Sequence, residues 1–119
     1  MGDGMVILGG MAARFLLEEL EAGTQGSIPA GCLPELLVDV YNSRQSGDIA
    51  AAKKTFALYK RWADYLSLYP LLGIGLEKET ERLRGIIKSS YTRGPRLEMQ
   101  TNHTEALKKI LAGIGMAGS

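Results

Sequence analysis

Hydrophobic and polar positions change their rhythm along this chain. Met5-Val6-Ile7-Leu8 is a continuous apolar run closed by Gly9-Gly10, which predicts a strand buried on both faces, as in a parallel sheet. From Met11 to Glu21 the rhythm is helical: Phe15, Leu16 and Leu20 form an apolar stripe, and Glu18, Glu19 and Glu21 face water. Gly23 follows the last periodic residue, where a helix end takes a left-handed conformation. Gly26-Ser27-Ile28-Pro29 predicts a brief second strand, with its proline at the end because proline donates no ladder bond. Strand, helix and strand in such close order form a parallel unit. Two such strands alone leave unpaired edges, so they call for neighbours.

The rest of the pattern is helical. Pro34 suits a first helical turn, and Leu36, Leu37, Val40 and Tyr41 make an apolar face behind it. Gly47-Asp48 interrupts the pattern, and Asp48 is placed to cap the next helix. Ile49, Ala52, Phe56, Tyr59, Ala63 and Leu66 recur at helical spacing until Tyr69-Pro70 stops them. Gly73-Ile74-Gly75 reads as a helix-breaking turn, followed by a helix from about Leu76 to Lys88. Ser89 to Gln100 reads as a loop holding Gly94-Pro95. A last helix starts near Asn102, with Leu107, Ile110, Leu111 and Ile114 on one face, and Ala117 to Ser119 fray.

Composition narrows the class. With 119 residues, 45% hydrophobic and 23% charged, the chain suits one compact globular unit. A net charge of +1 recruits neither nucleic acid nor a membrane surface. The single cysteine, Cys32, excludes an internal disulfide and fits a reducing, cytoplasmic setting; it reads as a small buried hydrophobe. Met5 to Leu17 is apolar enough to suggest a signal peptide, but Asp3 stands where positive charge belongs, and Glu18 and Glu19 follow at once. No apolar run approaches the roughly 18 residues that a membrane span needs.

Chemistry-bearing patterns are sparse. Gly9-Gly10 and Gly23-Thr24-Gln25-Gly26 do not form a dinucleotide fingerprint, and there is no phosphate-binding loop. Glycines just after a strand do lie at the catalytic face of a parallel α/β barrel, where a missing side chain leaves room for substrate. Glu18, Glu19 and Glu21 read as a solvated face. One His and one Cys without paired spacing predict no metal site. Arg82, Arg84, Lys88, Arg93 and Arg96, with Tyr91 among them, suggest either a phosphate or RNA patch or a solvated face pairing with acids such as Glu77 and Glu79; the second reading is preferred at this net charge. Tyr41, Tyr59, Trp62, Tyr65 and Tyr69 read as packing, and their density also suits a subunit interface.

The segment from Leu8-Gly9-Gly10 through Ala22-Gly23-Thr24-Gln25-Gly26 to Ser27-Ile28-Pro29 resembles strand seven, helix seven and strand eight of the dihydrodipicolinate synthase / N-acetylneuraminate lyase family. Gly47-Asp48-Ile49-Ala50-Ala51-Ala52-Lys53 is similar to that family's Gly-Asp-x-x-x-Ala turn. Lys78 to Pro95 resembles the tail of its dihydrodipicolinate-synthase-like branch. The resemblance implies an α/β but mostly helical chain: the last units of a (β/α)8 TIM barrel, strands seven and eight, followed by a C-terminal helical extension. Residues 1–46 would be the partial barrel and residues 47–119 the extension, in a single compact unit.

Members of that family are lyases that bind a pyruvate-type 2-keto acid as a Schiff base on a sixth-strand lysine, with a fifth-strand tyrosine moving protons. Neither carries over to a residue of this sequence, so the expected catalytic set here is empty and the chain is expected to be incomplete as an enzyme. What carries over is the wall of the keto-acid pocket. Gly9 or Gly10 would flank it after strand seven, and Ile28 would place its carbonyl near the proton-shuttling tyrosine. Pro29 stands where classical members often have serine. No cofactor and no metal is implied. A homo-oligomer is expected, with the keto acid as substrate of the whole enzyme only; membrane and nucleic acid are not expected partners. The alternatives from the residues themselves are a non-catalytic helical interaction module and, behind it, a small RNA-binding protein using Arg82 to Arg96.

Overall fold

The computed structural model describes residues 4–29, 31–93 and 97–116. The chain divides into two compact units, residues 1–60 and 61–119. The division falls inside a helix.

In the first unit, β1 (Leu8–Gly9) and β2 (Gly26–Ser27) form a two-stranded parallel sheet, with Leu8 opposite Gly26 and Gly9 opposite Ser27. The connection between them holds a single turn at Met11–Ala13 and the short helix α1 (Leu16–Glu21). Two expectations need correction here. The apolar run before Gly9 is not buried: Met5, Val6 and Leu8 are exposed, and only Leu8 and Gly9 pair. The helix expected from Met11 is replaced at its start by a left-handed turn, and Phe15 lies on the surface while Leu16, Leu17 and Leu20 are buried. The helix end is as expected, with Gly23 at φ +107°.

Helix α2 (Pro34–Gln45) starts on its proline and buries Leu36, Leu37 and Val40. Cys32 and Leu33 are buried just before it. Asp48 caps α3 (Ile49–Ser67) by accepting the Ala51 N–H at 3.1 Å. Within the first unit α3 buries Ala52, Phe56 and Tyr59.

The second unit takes the last turns of α3, a short turn at Pro70–Leu72, α4 (Gly73–Leu83) and α5 (Thr101–Gly113). Gly73-Ile74-Gly75 is the first turn of α4, not a break before it, and the helix stops at Leu83 rather than Lys88 because Gly85 takes φ +78°. Trp62, Leu76, Leu107 and Leu111 are buried almost completely. The Trp62 indole donates to the Thr80 hydroxyl at 2.9 Å, and that hydroxyl donates to the Leu76 carbonyl at 2.8 Å. This relay satisfies polar atoms that burial would otherwise penalise.

Candidate functional site

The residues singled out by resemblance meet at the end of the parallel pair. The Ile28 N–H donates to the Gly9 carbonyl at 3.0 Å, so Gly9 and Ile28 are tied directly. Gln25 closes the other end: its N–H donates to the Ile7 carbonyl at 3.0 Å, and its side-chain oxygen accepts from the Ile7 N–H at 2.9 Å. Gly10 follows the strand and starts the left-handed turn, accepting from the Ala13 N–H at 3.0 Å.

The two glycines differ in what surrounds them. A β-carbon at Gly9 would stand 2.7 Å from Oε1 of Glu19, so the space beside Gly9 is filled by a carboxylate on α1. At Gly10 a β-carbon would meet nothing within 4 Å. Ile28 is 69% exposed.

The turn after Gly10 is unusual. Met11, Ala12 and Ala13 take φ of 55°, 54° and 59°. Non-glycine residues pay roughly 1 kcal/mol or more each in this region. The Tyr59 hydroxyl, on a side chain 1% exposed, donates to the Ala12 carbonyl and fastens the turn. The sequence carried no signal for this, since Met-Ala-Ala is a good helix former.

Beside the sheet lies an apolar groove of about 340 Å³, lined by Leu8, Leu16, Ser27, Pro29, Leu37 and Tyr41. It holds no acid, base or nucleophile pair. A larger cleft of about 630 Å³ lies in the second unit, among Leu71, Ile74, Lys78, Tyr91, Arg93 and Met99. Lys78 there donates to the Tyr91 carbonyl at 3.0 Å.

All seven lysines of the sequence are described, and none stands at the end of β1 or β2. Lys53, Lys54 and Lys60 are on α3, Lys78 is on α4, Lys88 follows α4, and Lys108 and Lys109 are on α5. The basic stretch from Arg82 is partly structural. Arg82 forms a two-point pair with Glu79, with Nη2 to Oε2 at 3.0 Å, and the Thr104 hydroxyl donates to the same Oε2 at 2.6 Å. Arg82 holds the Glu79 carboxyl below the usual range, with Thr104 adding to the effect and burial opposing it. Burial and the neighbouring Glu81 push Glu77 the other way. Arg96 and Gly94-Pro95 lie outside the described residues, as do Ala117 to Ser119. Among the described residues no three His, Cys, Asp or Glu side chains cluster as a metal site, and no helix is long and apolar enough to cross a membrane.

No family model matches the chain, and no curated protein matches it. Among solved structures it is similar to the crystal structure of dihydrodipicolinate synthase from Rhodopseudomonas palustris, with a TM-score of 0.85 and 26% identity over 92% of this chain. The match spans 36% of that enzyme's chain, about a third of its length, and is consistent with a C-terminal segment of its family.

Proposed function

We propose that these residues form the closing part of a dihydrodipicolinate-synthase-like barrel, with β1 and β2 as its seventh and eighth strands. In this reading the whole enzyme performs aldol, lyase or dehydratase chemistry on a pyruvate-type 2-keto acid through a lysine Schiff base. The 119 residues contribute backbone and shape to its pocket, and no reacting group. The observation that carries the proposal is the structural match over 92% of the chain, at a TM-score of 0.85.

The local geometry supports particular roles. A Schiff-base lysine needs a lowered pKa, which comes from desolvation or a cationic neighbour near the barrel axis. The seven lysines here are on helices or just beyond one. Of the two glycines, Gly10 suits a substrate-flanking position better, because its missing side chain leaves open space while that of Gly9 makes room for Glu19. Ile28, tied through its N–H to Gly9, would in this reading present its carbonyl from the end of β2.

The exposed Met5, Val6, Leu8 and Ile28 surround a sheet with two unpaired edges. Such surface calls for cover by further strands of the barrel or by another copy, and self-association is the expected behaviour of the isolated chain. Treating the isolated chain with pyruvate and borohydride tests the catalytic assignment. No lysine should acquire a reduced pyruvate adduct, and an adduct on any of the seven would refute it.

A further inference from the structure

The cleft of the second unit has a floor without side chains. Gly73 and Gly75, both in its lining, lie in the first turn of α4. Gly73 has φ −47°, and neither glycine is among those with positive φ. A β-carbon at Gly73 would meet nothing within 4 Å, and one at Gly75 would meet only the Met99 methyl, at 3.9 Å. Alanine would fit at both positions and is the better helix former, so the helix itself does not call for glycine. What the missing side chains do is keep open the space between α4 and residues 97–99.

The cleft also separates the basic residues by role. Arg82 is engaged by Glu79, whereas Lys78 and Arg93 line the cleft. Lys78 donates to the Tyr91 carbonyl at 3.0 Å, a neutral acceptor that positions the ammonium without cancelling its charge. Arg93 is exposed, and its guanidinium has no acid partner among the described residues. One acid, Glu98, shares the lining, and it pairs with neither cation among the described residues. Around these charges Ile74, Tyr91 and Leu97 are exposed.

A ligand that answers both features needs an apolar body and a negative charge. The volume of about 630 Å³ is that of a small-molecule site. A guanidinium takes a carboxylate through two parallel hydrogen bonds. Glu98 opposes a second negative charge, which selects against phosphate and dicarboxylates.

We propose that this cleft binds a monocarboxylate with a ring-sized apolar body. The carboxylate pairs with Arg93, with Lys78 adding its charge, and the body lies over the glycine floor against Ile74, Tyr91 and Leu97. The site belongs to the second unit and does not rest on the keto-acid reading.

The test is an NMR titration of the full chain with naphthaleneacetate and with naphthaleneacetamide, which has the same body and no charge. The anion should shift the amide signals of Gly73, Gly75 and Met99 saturably and bind roughly fivefold tighter than the amide. Arg93→Gln, a change at an exposed position, should weaken the anion roughly threefold and leave the amide unchanged. Gly75→Leu should weaken both ligands by filling the floor; Arg93→Gln and the ligand pair decide the matter even if that variant does not fold. An amide that binds as tightly as the anion, an unchanged anion affinity in Arg93→Gln, tighter binding of inorganic phosphate, or no saturable shift at these residues would each overturn the proposal.

Discussion

The carboxylate of Glu19 lies against the α-carbon of Gly9, where a β-carbon would stand 2.7 Å from Oε1. The strand thus approaches α1 at a point where only hydrogen fits beneath the acid. The obstructing atoms are the far end of a flexible side chain, so the carboxylate can swing away. Gly9→Ala should cost less than about 1 kcal/mol in urea unfolding, and Glu19→Ala should abolish that cost, giving a coupling of about 0.5 kcal/mol or more. Gly10→Ala, which meets open space, should stay within about 0.5 kcal/mol of wild type.

Tyr59 reaches across 47 residues of sequence to hold Ala12. Tyr59→Phe keeps the ring and removes the donor, leaving the Ala12 carbonyl at a left-handed turn without that bond. The expected loss is about 1–3 kcal/mol, measured by chemical denaturation.

Thr80 stands between Trp62 and Leu76 in a buried relay. Thr80→Val preserves shape but takes away the indole's acceptor, and should cost about 1–3 kcal/mol. Thr80→Ser restores the hydroxyl and should recover most of that loss, while leaving the small cavity of one methyl group.

Glu79 makes stability depend on acid. Its folded pKa lies below its ordinary 4.5, held there first by Arg82. Its contribution is therefore present above pH 4.5 and is lost as pH falls through the lower folded value. Glu77 is raised, so it opposes folding once pH climbs above 4.5. Glu79→Gln should be less stable than wild type at neutral pH and show a flatter decline on acidification below pH 4.5, as followed by circular dichroism.

Local punctuation was legible in the sequence. Pro34 starts α2, Asp48 caps α3, Gly23 closes α1, and the stripe through Ala52, Phe56, Tyr59, Ala63 and Leu66 is buried as its spacing predicts. These features depend on neighbours a few residues away. Where distant residues decide, periodicity misled. Met11-Ala12-Ala13 favours a helix by propensity, yet it turns left-handed under the hold of Tyr59. Glu79 has the polarity of a solvated position, and it is buried because Arg82 and Thr104 meet it there. The reciprocal capping box of Gln100 and His103 at the start of α5 was hidden because Gln-x-x-His is not the usual capping pattern. Of the candidate site, the glycine pair and Ile28 were visible through resemblance, whereas the difference between Gly9 and Gly10 depends on Glu19 ten residues away.

As proposed above, these residues would complete a Schiff-base barrel without supplying its reacting group. The direct measurement is a chimera in which residues 1–119 replace the matching segment of Rhodopseudomonas palustris dihydrodipicolinate synthase, shown to be folded by circular dichroism. It is then treated with pyruvate and borohydride and mapped by mass spectrometry. The account predicts one reduced pyruvate adduct, on a lysine outside the 119 residues. A folded chimera with no adduct, or an adduct on Lys53, Lys54, Lys60, Lys78, Lys88, Lys108 or Lys109, would contradict it.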